Sequence, residues 1–77
     1  MSNYYFNFTD GKRTFTDGVG LEMRGLAAAR MEARKQIREM RICMSEEIND
    51  WAQWKIFVAD TRGKTVFEIG FDLMSGL

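Results

Sequence analysis

The spacing of apolar side chains divides the chain into three regimes. Residues 4–9, "YYFNFT", alternate: Tyr4, Phe6 and Phe8 fall on one side, and Tyr5, Asn7 and Thr9 on the other. This is the two-residue period of a strand. Asp10-Gly11 follows, a pair that favours a tight hairpin turn because glycine enters positive φ without strain. "RTFT" then resumes a strand to about Thr16, and "DGVG" breaks it. From Leu26 the period changes. Leu26, Ala29, Ala33, Ile37, Met40, Met44 and Ile48 recur three or four apart, and at about 100° per residue they form a single stripe. Alanine, methionine, arginine, glutamate and lysine dominate here, all good helix formers. The pattern predicts one helix from Leu26 to Met44 or Glu47, with Ser45 before Glu46 and Glu47 as an alternative cap for a short second turn. "NDWAQW" reads as a connector. "WKIFVAD" alternates again, with Trp54, Ile56 and Val58 opposite Lys55, Phe57 and Ala59. In "DTRGK", Asp60 opens a turn and Gly63 takes positive φ. "TVFEIGF" forms the last strand, with Phe67, Ile69 and Phe71 on one side.

The order is therefore β-β-α-β-β in a single domain over residues 1–77, with no repeat beyond the two hairpins. The fold class is α+β, a four-stranded antiparallel sheet with one helix packed on one face. Leu26, Ala33, Ile37, Met40, Phe6, Phe8, Ile56, Val58, Phe67 and Ile69 should supply much of the buried surface. A single helix covers one side only, so the other side keeps some of the aromatics from both hairpins. A bare aromatic face of this kind marks an interface, and a homodimer is the expectation.

Composition sharpens that expectation. A chain of 77 residues buries only about 60% of its unfolded surface, and small domains commonly need a staple. Cys43 is the one cysteine and there is no histidine, so neither an internal disulfide nor a common metal site presents itself. A partner subunit remains. Eleven basic residues balance eleven acidic ones, which gives no general pull toward nucleic acid or anionic membrane. No apolar run approaches the roughly 20 residues of a membrane helix, and the first residues lack the pattern of a signal peptide. With a lone cysteine, these features fit a reducing cytoplasm.

"YYFNFTDG", "DGVGLEM", "LAAARMEA" and "WKIFVADTRGKTVFEIGF" together resemble a family of short bacterial proteins of unknown function. Its members share an aromatic opening strand, an Asp-Gly turn, an Ala-Ala-Arg helix and a C-terminal Asp-x-x-Gly hairpin. The resemblance spans about residues 4 to 71. It departs just before the helix, where the family often has proline and aspartate and this chain has Arg24 and Gly25. Glycine still serves as an N-cap, though less well than aspartate. The stretch from Ser45 to Gln53 is also particular to this chain. The resemblance implies a fold and a bacterial origin, and no activity.

Several features invite chemistry. Arg30, Arg34, Arg38 and Arg41 occupy a wedge about 80° wide beside the apolar stripe. None has an acidic residue three or four positions away, so the row is not neutralised within its own helix. Its stems can cover the edge of the core while the heads meet water or acids elsewhere. Otherwise the row is a candidate contact for phosphate or for an acidic partner. "GVGLEMRG" has Met23 where the dinucleotide pattern requires glycine, and no βαβ unit follows. Cys43 lacks a histidine to activate it and reads as a partly buried structural thiol. No pair among Asp60, Asp72, Glu46 and Glu47 is placed around a cleft, so these read as turn and surface charges. Met31 and Ile42 fall opposite the stripe, either as single exposed hydrophobes or as contacts to a second subunit. Tyr4, Tyr5, Phe6, Phe8 and Phe57 resemble a base-stacking platform only superficially, because Lys12, Arg13 and Lys55 alone are near.

The sequence thus points to a non-enzymatic interaction and assembly module, without cofactor, metal or small-molecule substrate, that self-associates through its sheet. Tyr5, Phe57, Met31 and Ile42 are the candidate self-association residues. Nucleic-acid binding through the arginine row is the alternative.

Overall fold

A computed structural model of the chain describes residues 1–48 and 50–74. Five strands and one helix run in the order β1 (Ser2–Thr9), β2 (Thr14–Phe15), β3 (Leu21–Met23), α1 (Leu26–Cys43), β4 (Lys55–Ala59) and β5 (Thr65–Gly70), followed by a short 3-10 turn over Phe71–Met74. The α+β class and the single helix agree with the sequence pattern. The strand count differs by one, because β3 follows the "DGVG" break. Asn49, part of the expected connector, lies outside the described residues.

All pairings are antiparallel. The sheet is ordered β2-β1-β4-β5, with β3 also on β1. Phe8 pairs with Phe15 and Tyr4 with Leu21. Residues 14–23 therefore run along one edge of β1 as a single interrupted strand. Counting on from Phe8 and Phe15 brings Asp17 opposite Phe6. Counting back from Tyr4 and Leu21 brings Val19 there instead. The edge accommodates two extra residues at this point, in the manner of a bulge.

The alternation of β1 and β4 sorts the sheet as the sequence predicts. Phe6 lies opposite Val58 and Phe8 opposite Ile56; Phe67 and Ile69 continue the same face in β5. Helix α1 seals it with Ala29, Ala33 and Ile37, all fully buried. Two alanines in this stripe let the helix lie close to the rings of Tyr4 and Phe6, its partners in the core. Phe71 follows β5 as the first residue of the 3-10 turn and is fully buried. Its ring stacks on Trp51 at 5.3 Å and meets Phe8 edge-on at 6.1 Å, a favoured geometry for aromatic pairs. Leu26 does not join this core. It occupies the first residue of α1 and is 42% exposed, because the stripe begins before the helix has reached the sheet.

Candidate functional site

Three surfaces bear on function: the sheet face away from α1, the outer side of α1, and a groove between the end of α1 and the first hairpin. The first is built by the odd residues of β1 and their partners. Tyr5 lies opposite Ala59, which lies opposite Thr65; Asn7 lies opposite Phe57, which lies opposite Glu68. Tyr5 and Phe57 are thus diagonal neighbours on adjacent strands, a separation aromatic side chains can span. With Ala59 they form a small apolar centre. Asn7, Thr9, Lys55, Glu68 and Thr65 surround it, and Lys55 and Glu68 pair at 3.1 Å across the strands. Among the described residues neither α1 nor a strand covers this face. Most of the aromatics lie on the covered side, so the open face is mixed rather than uniformly aromatic. Tyr4 and Phe6 are buried, which removes them from any base-stacking platform.

One edge of the same sheet is closed by an unexpected device. Between β2 and β3, where β1 has no strand beside it, the Asp17 carboxylate takes the place of a partner. Its Oδ2 accepts the Phe6 N–H at 3.1 Å, and its Oδ1 accepts those of Val19 and Gly20, both at 2.9 Å. The Asp17 N–H in turn donates to Asn7 Oδ1 at 2.9 Å, which accounts for a buried asparagine at 7% exposure. Partial burial pushes the Asp17 carboxyl up, but the backbone donors of Gly20, Val19 and Phe6 outweigh it and hold the group below its ordinary value of 3.8. Gly20 is required beside it. Its φ is +79°, and an added Cβ would sit 2.8 Å from the Tyr5 ring. The "DGVG" stretch is thus an edge clasp. Asp10 and Asp60 do similar local work: Asp10 Oδ1 accepts from Lys12 and Arg13, and Asp60 Oδ1 from Arg62 and Lys64. The turns at Gly11 and Gly63 have positive φ, as predicted.

The arginine row divides by angle. Arg30 and Arg41 lie nearest the apolar stripe, about 40° and 60° from Leu26, while Arg34 and Arg38 lie at about 80° and 120°. The inner two meet rings and a carbonyl. Arg30 sits over Phe67 at 5.5 Å, and Arg41 over Trp51 at 5.8 Å while its Nη1 donates to the Phe71 carbonyl at 2.8 Å. These contacts lay the two guanidinium groups along the edge of the core, as the row's position beside the apolar stripe predicts. Arg34 and Arg38 are exposed. Met31 and Ile42 are 70% and 75% exposed on the outer side of α1, the side of the molecule away from Tyr5 and Phe57. The four candidate self-association residues therefore form two patches rather than one. Met31 and Arg38 line the same shallow depression of about 380 Å³, with Met23, Ala28, Glu32 and Lys35. Cys43, expected to be partly buried, is exposed at the last residue of α1, because the helix has turned its thiol away from the sheet.

The groove was not anticipated. Phe8, Phe15, Trp54, Met40, Met44 and Ile48 line about 520 Å³, with Arg13 beside them. Phe15 stacks on Trp54 at 6.1 Å with rings 3° from parallel, and Arg13 lies over Phe15 at 5.5 Å. The available signal was the length of the stripe: Met40, Met44 and Ile48 continue the apolar row beyond the Ala29–Ile37 segment that the sheet buries. The lining offers apolar surface and one cation, a composition suited to holding side chains rather than activating a substrate.

Residues 3–72 match the family described as Domain of unknown function (DUF6894). The chain belongs to that family. No curated protein and no solved structure gives a significant match. Membership agrees with the expectation of a family of unknown function that spans nearly the whole chain. Within this DUF6894 domain the matched span takes in α1 and the five strands apart from Ser2, so the edge clasp and the open face both belong to the shared unit. Among the described residues no helix is long and apolar enough to cross a membrane.

Proposed function

We infer that this DUF6894 protein is a non-catalytic interaction and assembly module of the bacterial cytoplasm that self-associates through its sheet. The observation that carries this reading is the open face. Tyr5 and Phe57, both half-buried, flank the buried Ala59 and are ringed by polar and charged groups, the arrangement of a small protein interface with a dry core and a wet rim. A non-catalytic role is favoured by how the aspartates are used. Asp10, Asp17 and Asp60 are occupied with backbone N–H groups, and the larger hollow has an apolar lining with a single charged group. The test is static light scattering across a concentration series. A mass rising from one chain toward two by high micromolar concentration supports the reading; one 9.0 kDa species throughout overturns it.

The second reading, phosphate contact through the helix, rests on Arg34 and Arg38, which are exposed and adjacent to Lys35. Retention on mixed nucleic acids that weakens steeply with salt would support it. If Arg34→Glu combined with Arg38→Glu leaves retention unchanged, this reading is wrong.

A further inference from the structure

Helix α1 ends at Cys43, but its apolar row runs on. The Met44 N–H donates to the Met40 carbonyl and the Ile48 N–H to the Met44 carbonyl, both at 2.9 Å. These are helical spacings, so Met40, Met44 and Ile48 stand one above the next along about 12 Å. Three rings, Phe8, Phe15 and Trp54, complete the lining, and the groove encloses about 520 Å³. Spread over that length, this volume leaves a section about 7 Å across, narrower than the roughly 10–12 Å of a helix with its side chains. A slender, linear occupant fits it.

The chemistry of the lining is equally restricted. Arg13 is its single charged group. Glu46 and Glu47, in the turn between Met44 and Ile48, are exposed and take no part in the lining. The Arg13 side chain is 76% exposed, which places it at the rim, and its guanidinium lies over the Phe15 ring at 5.5 Å. Its Nε faces Asp10 Oδ2 at 3.5 Å, longer than the roughly 2.8 Å of a strong charge-assisted bond. Asp10 Oδ1 is occupied by the Lys12 and Arg13 N–H groups. Asp10 thus aims the guanidinium, whose two Nη groups keep donors to offer.

We propose that this groove binds the anion of a medium-chain alkyl carboxylate. The chain lies between the Met40–Ile48 row and the rings, and the carboxylate meets the Nη groups of Arg13. An apolar slot with one charged group is the make-up of a small-molecule site, and methionines adapt to the shape of a flexible chain. Charge complementarity selects an acid over an alcohol or an amine, since the lining holds one cation and no carboxylate. The proposal is independent of self-association through Tyr5 and Phe57, which lie on the other side of the sheet from Phe8.

The experiment is a titration of the full chain with decanoate below its micelle-forming concentration, read by tryptophan emission and calorimetry. Decanol and decyltrimethylammonium serve as the neutral and cationic controls, and thermal melts confirm that each variant folds. Decanoate should saturate at one per chain and bind about tenfold more tightly than decanol. Arg13→Gln should remove that difference and leave decanol unchanged, while Met44→Asp should weaken both. Decanoate that does not saturate overturns the site. Equal affinity for decanoate and decanol, or indifference to Arg13→Gln, overturns the carboxylate contact. Tryptophan emission that changes with protein concentration while decanoate fails to saturate gives the groove to a second copy instead. Saturation by a leucine–glutamate helical peptide, where decanoate fails, gives it to a protein segment.

Discussion

Replacing Asp17 by alanine removes the acceptor of three backbone N–H groups, at 3.1 Å from Phe6 and 2.9 Å from Val19 and Gly20. The three losses are unequal. Val19 is exposed and Gly20 half-buried, so water can replace the carboxylate there, and each bond contributes about 0.5 kcal/mol net. Phe6 is 3% exposed in the middle of β1. Its N–H, left without an acceptor, costs about 1–3 kcal/mol. Asp17→Ala should therefore destabilise the fold by about 2–4 kcal/mol, and for a chain of this size the melting temperature should drop by about 10–30 °C. Asp17→Asn keeps the shape but offers one oxygen where two are used, so an amide donor faces a backbone donor; about 1–2 kcal/mol should be lost. Reversible thermal and urea unfolding at pH 7 measures both. An alanine variant within about 0.5 kcal/mol of wild type, or an asparagine variant as stable as aspartate, would show that the carboxylate does not hold the edge.

The same group gives a pH signature. Its carboxyl is held below 3.8 in the fold, so its stabilisation is complete above that value and is lost as pH falls through the lower folded value. The stability gap between wild type and Asp17→Asn should stay constant from pH 7 to 5 and narrow below about 4. Gly20→Ala should cost about 2 kcal/mol or more, from positive φ and contact with the Tyr5 ring; chemical denaturation reads it. Ile37→Ala, at a fully buried site on α1, should cost about 2–4 kcal/mol by the same assay. Arg30→Ala, which removes a cation from an exposed position over Phe67, should cost no more than about 1 kcal/mol.

Periodic features were legible in the sequence, and cooperative ones were not. Alternation in Tyr4–Thr9 and Trp54–Ala59 gave the correct faces, since it follows from strand geometry alone. The helical stripe located Ala29, Ala33 and Ile37 in the core but overreached at Leu26, because periodicity does not say where a helix meets its sheet. β3 escaped notice because three residues after a glycine carry no pattern; it is a strand only because β1 is beside it. Asp17 followed by Gly-Val-Gly signals a local turn. Its second oxygen reaches Phe6, eleven residues earlier, and only the folded register brings those two together. For the candidate surfaces, charge spacing located the arginine row, yet the rings of Phe67 and Trp51 that engage it come from distant parts of the chain. The groove combines an overhanging stripe with Phe15 and Trp54, residues 39 positions apart, and no local pattern joins them.

The account turns on one edge of the sheet being closed by the chain itself, through the Asp17 carboxylate. Amide hydrogen exchange at Phe6 in the wild type and in Asp17→Ala, under conditions where both are folded, tests it most directly. Phe6 should exchange slowly in the wild type and markedly faster in the variant. Fast exchange at Phe6 in the wild type, or equal rates in the two, would contradict it.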